Sequence, residues 1–358
     1  MRVEKIKVLI VGSDSTVKGG ITSVINSFLN YKLENIDIEL HPTYIEGKMI
    51  NKCIFFVKSI IKYLVKLVNN DFHIAHIHMS YKGSFVRKLI VVKLSKVFNK
   101  KVILHLHGSE FEVFYNSSNK LVKKLIRYIL EVSDCVIVLG EKWKKTVNKI
   151  APDSKIVIFN NAVNIPECTV NWDNEKINIL FLGVLIKRKG IYDLIETIKI
   201  LDEKGIISER NLKFIIAGSG PEEICIKEMI HEYKLEHCVE MPGWVDKKLK
   251  NKLLKKSQIF ILPSYNEGLP MAILEAMSYG IPIISTDVGS ISEVVMNNFT
   301  GTLIKPGDYN YMAQAIINLI DENVWISQSK NCKLLVKNSF NENEYFKRID
   351  ELYKVINE

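Results

Sequence analysis

Two glutamates, Glu267 and Glu275, stand in an E-x7-E spacing within the run PSYNEGLPMAILEAMSYGIPIISTDVG, residues 263–289. Carboxylates accept hydrogen bonds from hydroxyls, and two of them a short distance apart can hold two vicinal diols. A nucleotide sugar offers two such diols, one on the hexose and one on the ribose. The surrounding residues dictate a local scaffold for them. A strand over Ile259–Leu262 runs into a loop, and Pro270 reads as the first residue of a helix, where proline is preferred. Gly280 and Pro282 then close that helix. Its free backbone N–H groups follow directly after Glu267, Gly268 and Leu269, and a helix N-terminus of this kind is a seat for a diphosphate. A capped helix with two solvated glutamates is the plainer reading, but the run Glu-Gly-Leu-Pro followed by Leu-Glu-Ala favours a ligand.

Cations occupy a second strand-to-helix turn, in FLGVLIKRKGIYD over residues 181–193. Lys187, Arg188 and Lys189 precede Gly190, and positive charge at such a turn suits a phosphate leaving group. Gly19 and Gly20 follow the first strand, where glycine lets backbone approach a ligand closely. The dinucleotide fingerprint G-x-G-x-x-G is missing from that turn, which argues against a nicotinamide enzyme. His105 and His107 face one way along a strand, and His76 and His78 form a similar pair. Two such pairs could bind a metal, yet no carboxylate or cysteine joins them at a recognisable spacing. His107 reads as a strand-end residue and His105 as a core histidine.

Taken together these segments resemble the retaining glycosyltransferases of family four. The resemblance covers nearly the whole chain. It implies an α/β chain of the GT-B fold: two Rossmann-like doubly wound parallel-sheet domains facing a central cleft. It places Glu267 on the donor sugar hydroxyls, Glu275 on the ribose, and the backbone of Gly268, Leu269 and Pro270 near the sugar and phosphates. Lys189 and Arg188 fall on the leaving diphosphate, which the Gly19-Gly20 loop borders. Gly218 and Val245, or a neighbour of the latter, lie in loops that surround the base. His107 falls near the reacting sugar, so His107, Lys189 and Glu267 are the implied catalytic group. Val184 stands where the family has an arginine, which leaves Arg188 or Lys187 to compensate. Asn161-Ala162-Val163-Asn164 replaces the family's N-G-V-D.

The elements needed to position these residues are legible as alternating strand and helix. Apolar runs include Lys7–Val11, His73–His78, Val102–His107, Cys135–Leu139 and Ile156–Ile158, then Asn178–Leu182, Lys213–Ala217, Val239–Met241, Ile259–Leu262 and Ile281–Ser285. Near-continuous apolar strands between amphipathic helices mean parallel sheets covered on both faces. At 358 residues two domains are expected. The polar stretch 165–176 divides them: residues 1–168 as an acceptor-binding domain and 169–339 as a nucleotide-sugar-binding domain. The resemblance returns a helix at about 340–358 to the first domain.

Composition excludes other classes. Hydrophobic content of 47% and charged content of 25% rule out a disordered chain. No apolar run reaches a membrane span, and the N-terminus lacks a secretory signal pattern. The six scattered cysteines read as reduced thiols, which with the missing signal gives a cytoplasmic expectation. Charge is uneven: residues 1–170 hold 26 Lys+Arg against 14 Asp+Glu, a net of +12, and the remainder 23 against 26, a net of −3. The basic half fits nucleic acid, an anionic membrane surface or a phosphorylated substrate. Nucleic acid is disfavoured, because no stacking platform or binding motif accompanies the charge.

No D-x-D is present, so no metal and no cofactor are expected, and Lys189 with helix N-termini would neutralise the diphosphate. The expected function is transfer of a sugar from a UDP- or GDP-sugar to a glycan acceptor, lipid-linked, in cell-surface polysaccharide assembly. The lysine-bearing helix Ile50–Val68 reads either as lying on the inner membrane surface or as a core helix with one wet stripe. A sugar-nucleotide epimerase on the same fold and a non-catalytic anion-binding protein are the rival readings.

Overall fold

The computed structural model describes residues 5–358. The chain divides into two compact units: unit 1 holds the residues up to Asn161 together with Asn343–Glu358, and unit 2 holds Ala162–Glu342. Unit 1 runs β1 (Ile6–Gly12), α1 (Gly20–Asn30), β2 (Ile36–Pro42), α2 (Met49–Val68), β3 (Ile74–Met79), α3 (Gly83–Val97), β4 (Lys101–Leu106), α4 (Phe111–Ser117), α5 (Lys120–Val132), β5 (Cys135–Val138), α6 (Glu141–Ile150) and β6 (Ile156–Ile158). Unit 2 runs β7 (Ile177–Leu182), a 3-10 turn over Lys187–Lys189, α7 (Ile191–Glu203), α8 (Ile206–Glu209), β8 (Leu212–Ala217), α9 (Glu223–Glu232), β9 (Val239–Gly243), α10 (Lys247–Lys256) and β10 (Ile259–Leu262). It continues with α11 (Met271–Ser278), β11 (Ile283–Thr286), β12 (Gly301–Ile304), α12 (Tyr309–Leu319) and α13 (Glu322–Ser339), before α14 (Glu342–Asn357).

Each unit is built on a six-stranded parallel sheet. The order is β2-β1-β3-β4-β5-β6 in unit 1 and β12-β11-β10-β7-β8-β9 in unit 2. Both orders reverse direction once, between β1 and β3 in the first sheet and between β7 and β10 in the second. Loops leaving the two strands at such a reversal diverge to opposite faces and open a crevice beyond their carboxyl ends. That is where ligands sit in open α/β sheets, so each unit has one place to search.

Alternation along the strands sorts unit 1 into two layers. Leu9, Val11, Ala75, Ile77, Leu104 and Val136 share one core with α2, α3, α5 and α6. The opposite face meets α1 and α14. Phe28 of α1 lies edge-on to His76 and Phe346, with centroids 5.0 and 5.1 Å apart, and Tyr31 stacks on Phe346 at 4.1 Å. The terminal helix is thus an integral layer of unit 1. The chain leaves unit 2 through a short parallel bridge between Val163 and Asn341.

α5, α10, α12 and α13 are capped by the side chains of Asn119, Asp246, Asp308 and Asp321. α1, α7 and α11, which follow β1, β7 and β10, have no side-chain cap, so no side chain satisfies their first N–H groups. Pro270 sits one residue earlier than expected: it is the N-cap of α11 rather than its first helical residue, and its carbonyl accepts the Ile273 amide at 3.2 Å.

Candidate active site

The loops at the switch point of unit 2 are strapped to one another. The Lys189 ammonium pairs with Oε1 of Glu267, and both side chains are largely buried, 16% and 9% exposed. The Ser264 hydroxyl donates to the same Oε1 at 2.7 Å, and Thr286 in turn donates to the Ser264 carbonyl. Both donors fall on Oε1. One Arg188 guanidinium N–H donates to the Asn266 carbonyl at 2.6 Å, while the Arg188 carbonyl accepts the Tyr265 amide at 2.8 Å. Two chain segments 78 residues apart therefore meet as one rigid pair of loops.

Backbone shape explains why this can happen. Gly190 has φ +69, and a Cβ there would lie 2.0 Å from the Pro263 carbonyl oxygen. Only glycine lets the Lys189 turn come this close to the end of β10. Gly218 has φ +155, and a Cβ would lie 1.8 Å from the Gly183 carbonyl oxygen. Its missing side chain is filled by the protein's own backbone, so its role is to pack the β8 loop on the β7 loop. Leu185 completes that strap, donating its amide to Ser219 at 3.0 Å and accepting the Glu222 amide at 3.1 Å.

The remaining candidates of unit 2 fall around this centre. Glu275 projects from α11 and meets Lys250 of α10 at 2.5 Å, both about a fifth to a quarter exposed. Leu269 is buried, so only its backbone can face a ligand, and the Gly268 carbonyl accepts the Ser290 amide at 2.9 Å. Val245 packs on the edge of the core beside the exposed Trp244. Sequence reasoning passed over Ser264, Lys250 and Asp193. Asp193, on the first turn of α7, has its carboxyl pushed up by burial, and one of its oxygens is buried without a partner.

Unit 1 has a pocket at its own switch point. It encloses about 280 Å³ and is lined by the Gly19-Gly20 loop and Thr22 at the open start of α1, by Ser13, Tyr44, His78 and Ser84, and by Arg87 and Lys88 of α3. Lys88 is 2% exposed. Its ammonium donates to the Thr43 hydroxyl, and burial, then the neighbouring Arg87, hold it well below the usual lysine range. The Arg87 guanidinium lies 4.8 Å from the Tyr44 ring, and its Nε is buried without an acceptor. The spacing did carry a signal for this pair: Lys88 shares the i, i+3, i+7, i+10 stripe of Phe85, Val92 and Ser95, a cation on the buried face of a helix.

His76, His78, His105 and His107 form one stacked column beside this pocket. His76 shares hydrogen bonds with Tyr353 of α14 at 2.6 Å and with His105 at 3.2 Å, and His78 with His107 at 2.8 Å. Burial pushes His76 and His107 down to about 3 and holds His78 and His105 well below the ordinary histidine range. His105 is a core residue. His107 lies at the strand end, only partly buried, with its ring 4.0 Å from that of His105. Ring nitrogens of His76, His78 and His105 lie within 4.8 Å of one another, near enough to share a cation. Both nitrogens of His76 are already engaged, however, and no carboxylate or thiolate joins the set.

Two doubly wound parallel units, each with a crevice at its switch point, make the architecture of the GT-B fold. Residues 169–342, nearly all of unit 2, match the family "Glycosyl transferases group 1". The chain is a glycosyltransferase, and unit 2 is its group 1 domain. An uncharacterized 41.2 kDa protein in the cps region of Klebsiella pneumoniae is 27% identical, over 95% of this chain and 97% of its own. The UDP-Gal:alpha-D-GlcNAc-diphosphoundecaprenol alpha-1,3-galactosyltransferase of Escherichia coli is 29% identical, over 83% of this chain and 79% of its own. Among solved structures, sucrose-phosphate synthase from Thermosynechococcus elongatus superposes with a TM-score of 0.81 at 18% identity, covering 98% of this chain and 99% of that one. Anabaena HepE in complex with UDP and glucose gives 0.76 at 14% identity, covering 98% and 99%.

Proposed function

We propose that the chain is a retaining, metal-independent hexosyltransferase that moves a sugar from a UDP- or GDP-sugar to a lipid-linked glycan in cell-surface polysaccharide assembly. The observation that carries the donor half is the Lys189–Glu267 pair, which joins the two switch-point loops in front of the uncapped start of α11. The free oxygen of Glu267 accepts a hexose hydroxyl, and Glu275, four residues into α11, accepts from the ribose. As the sugar–phosphate bond breaks, negative charge gathers on the leaving diphosphate. Lys189 and the α11 amides are fixed before the reaction, so they stabilise that charge more in the transition state than in the ground state. The acceptor hydroxyl attacks the anomeric carbon on the face the diphosphate leaves and passes its proton to the departing diphosphate oxygen, which retains the configuration.

Support for the acceptor half comes from relatives and from charge. The Escherichia coli relative is named for a diphosphoundecaprenol-linked acceptor, and relatives of 25–28% identity are named for colanic acid and amylovoran biosynthesis. In the unit 1 pocket the acceptor-less Nε of Arg87, with Lys88 beside it, offers N–H donors to a phosphate group. His107 sits at the strand end beside that pocket as a neutral hydrogen-bonding group for a sugar hydroxyl.

The test is a transfer assay with UDP- and GDP-sugars and a lipid-diphosphate-linked saccharide, read by proton NMR of the new anomeric centre. The proposal expects one donor to react, an axial or equatorial linkage matching that donor, and an unchanged rate in excess EDTA. Isomerisation of the free donor without acceptor would instead establish the epimerase reading. Loss of turnover in EDTA, restored by a divalent metal, would overturn metal independence.

A further inference from the structure

The apolar side chains of α2 divide between two faces. Tyr63 and Leu67 enter the core, Tyr63 donating or accepting at the Ser95 hydroxyl of α3 at 2.6 Å. On the opposite side Ile50, Ile54, Val57, Ile61, Val65 and Val68 are 50–73% exposed. Their spacing of i, i+4, i+7, i+11, i+15 and i+18 draws one stripe along all five turns of the helix, directly away from the sheet. The adjoining α3 adds Val86 and Val97, 55% and 75% exposed. A soluble protein exposes single apolar residues freely, but an unbroken stripe of this length marks a surface that something covers.

Charge identifies the covering. α2 and α3 contain no aspartate or glutamate, and of their eight basic residues Lys88 is buried, Arg87 lines the pocket, and Lys66 and Lys96 pair with Glu39 and Asp134, which leaves Lys52, Lys58, Lys62 and Lys93. Lys58 and Lys62 are exposed along the edge of the stripe. Among the described residues no helix is long and apolar enough to cross a membrane, and α2, with four lysines in 20 residues, is no span. An apolar stripe with exposed lysines along its edge, on a helix that itself carries no acid, is the pattern of a helix lying in the plane of an anionic bilayer, its aliphatic side chains below the headgroups and its ammonium groups among the phosphates.

We infer that unit 1 docks on an anionic membrane surface through the outer face of α2, extended by α3. This deepens the lipid-linked acceptor reading and rests on it for its purpose alone, since the docking itself requires no donor or acceptor.

The experiment is flotation of the full chain with vesicles of phosphatidylcholine alone or of phosphatidylcholine with phosphatidylglycerol, at physiological ionic strength. The variants are Ile54→Asp/Ile61→Asp and Lys58→Glu/Lys62→Glu. All four positions are exposed, and an unchanged melting temperature shows that each variant is folded. The expected result is flotation of the wild type with anionic vesicles only. Both variants should stay in the dense fraction, the lysine variant with membrane affinity lower by about 25-fold or more, at about five-fold for each lysine. Binding that is equal for wild type and variants, or no binding to anionic vesicles, would overturn the inference. So would a wild-type dimer by light scattering that Ile54→Asp/Ile61→Asp makes monomeric, since a second copy would then cover the stripe. A transferase that uses another donor, or none, leaves the flotation result untouched, so the two readings fail separately.

Discussion

Replacing Lys189 with methionine lowers the rate of sugar transfer by about 10²- to 10³-fold, the loss typical of removing one fixed group that faces developing negative charge. Lys189 meets Glu267 in a nearly closed setting, with its side chain 16% exposed. Its position is set by the Gly190 turn and by the carboxylate, so no reorganisation is needed when charge builds on the diphosphate. Methionine keeps the length of the stem and loses the charge. Glu267→Gln separates the two partners: it keeps an oxygen for the Ser264 hydroxyl, loses the charge that fixes Lys189, and slows transfer by a smaller factor. Steady-state kinetics distinguish the effects. Loss of transition-state stabilisation lowers kcat and kcat/KM together, whereas loss of donor binding alone raises KM. A Lys189→Met variant with unchanged kcat would remove Lys189 from the chemistry.

A second large effect is expected from acid. His41, His76, His78 and His105 are all buried. Burial is the first cause in each case; it takes His41 to about 4 and His76 to about 3, and holds the other two well below the ordinary range. In the unfolded chain the same groups titrate near 6.5. Between the two values the unfolded state binds protons that the folded state refuses, so stability rises with pH across that window and falls as pH drops below about 6.5. Each such histidine refuses a proton that the unfolded chain takes up, so the four together remove a sizeable part of a domain's total stability of about 5–15 kcal/mol. Unit 1 should therefore melt at markedly lower temperature at pH 5.5 than at pH 7.5. His76→Gln or His105→Gln should flatten the dependence. A melting temperature independent of pH between 7.5 and 5.5 would show that the column is not held neutral.

What the sequence revealed, and what it concealed, follows from burial. The central strands of both sheets are covered on both faces, so they read as unbroken apolar runs and were placed to within a residue or two. β2 and β12 escaped notice, and both are edge strands. In β2 the segment IDIELHP interleaves Asp37 and Glu39 with its aliphatics, because only part of an edge strand is covered. β12 has four residues and begins with glycine. The switch-point residues were legible because their chemistry is local: Glu267, Lys189 and the helix after Pro270 sit in short contiguous runs. Their partners were not, since Lys189 and Glu267 are 78 residues apart and Glu275 meets Lys250 across 25. The pocket of unit 1 needs β1, β3, α1 and α3 at once, and its local signals were the Gly19-Gly20 loop and the placement of Lys88 on an apolar stripe.

The two stripes of α2 show the same limit. Periodicity marks the helix as amphipathic, but Phe55, Phe56, Ile60, Leu64 and their neighbours make it apolar nearly all round. Which apolar side faces the sheet is decided by Tyr63 and Leu67, and that is a property of packing.

The most direct measurement of the central claim is a thermal-shift screen of the wild type and Glu275→Ala against UDP-, GDP-, ADP- and CMP-sugars. A ligand that binds the native state alone stabilises it by about 2.7 kcal/mol at a hundred times its Kd. One donor should raise the wild-type melting temperature clearly and the variant's far less, which would identify the nucleotide and place its ribose at α11. Equal shifts in both proteins would remove Glu275 from the donor site, and no shift with any donor at millimolar concentration would contradict a nucleotide-sugar site at this switch point.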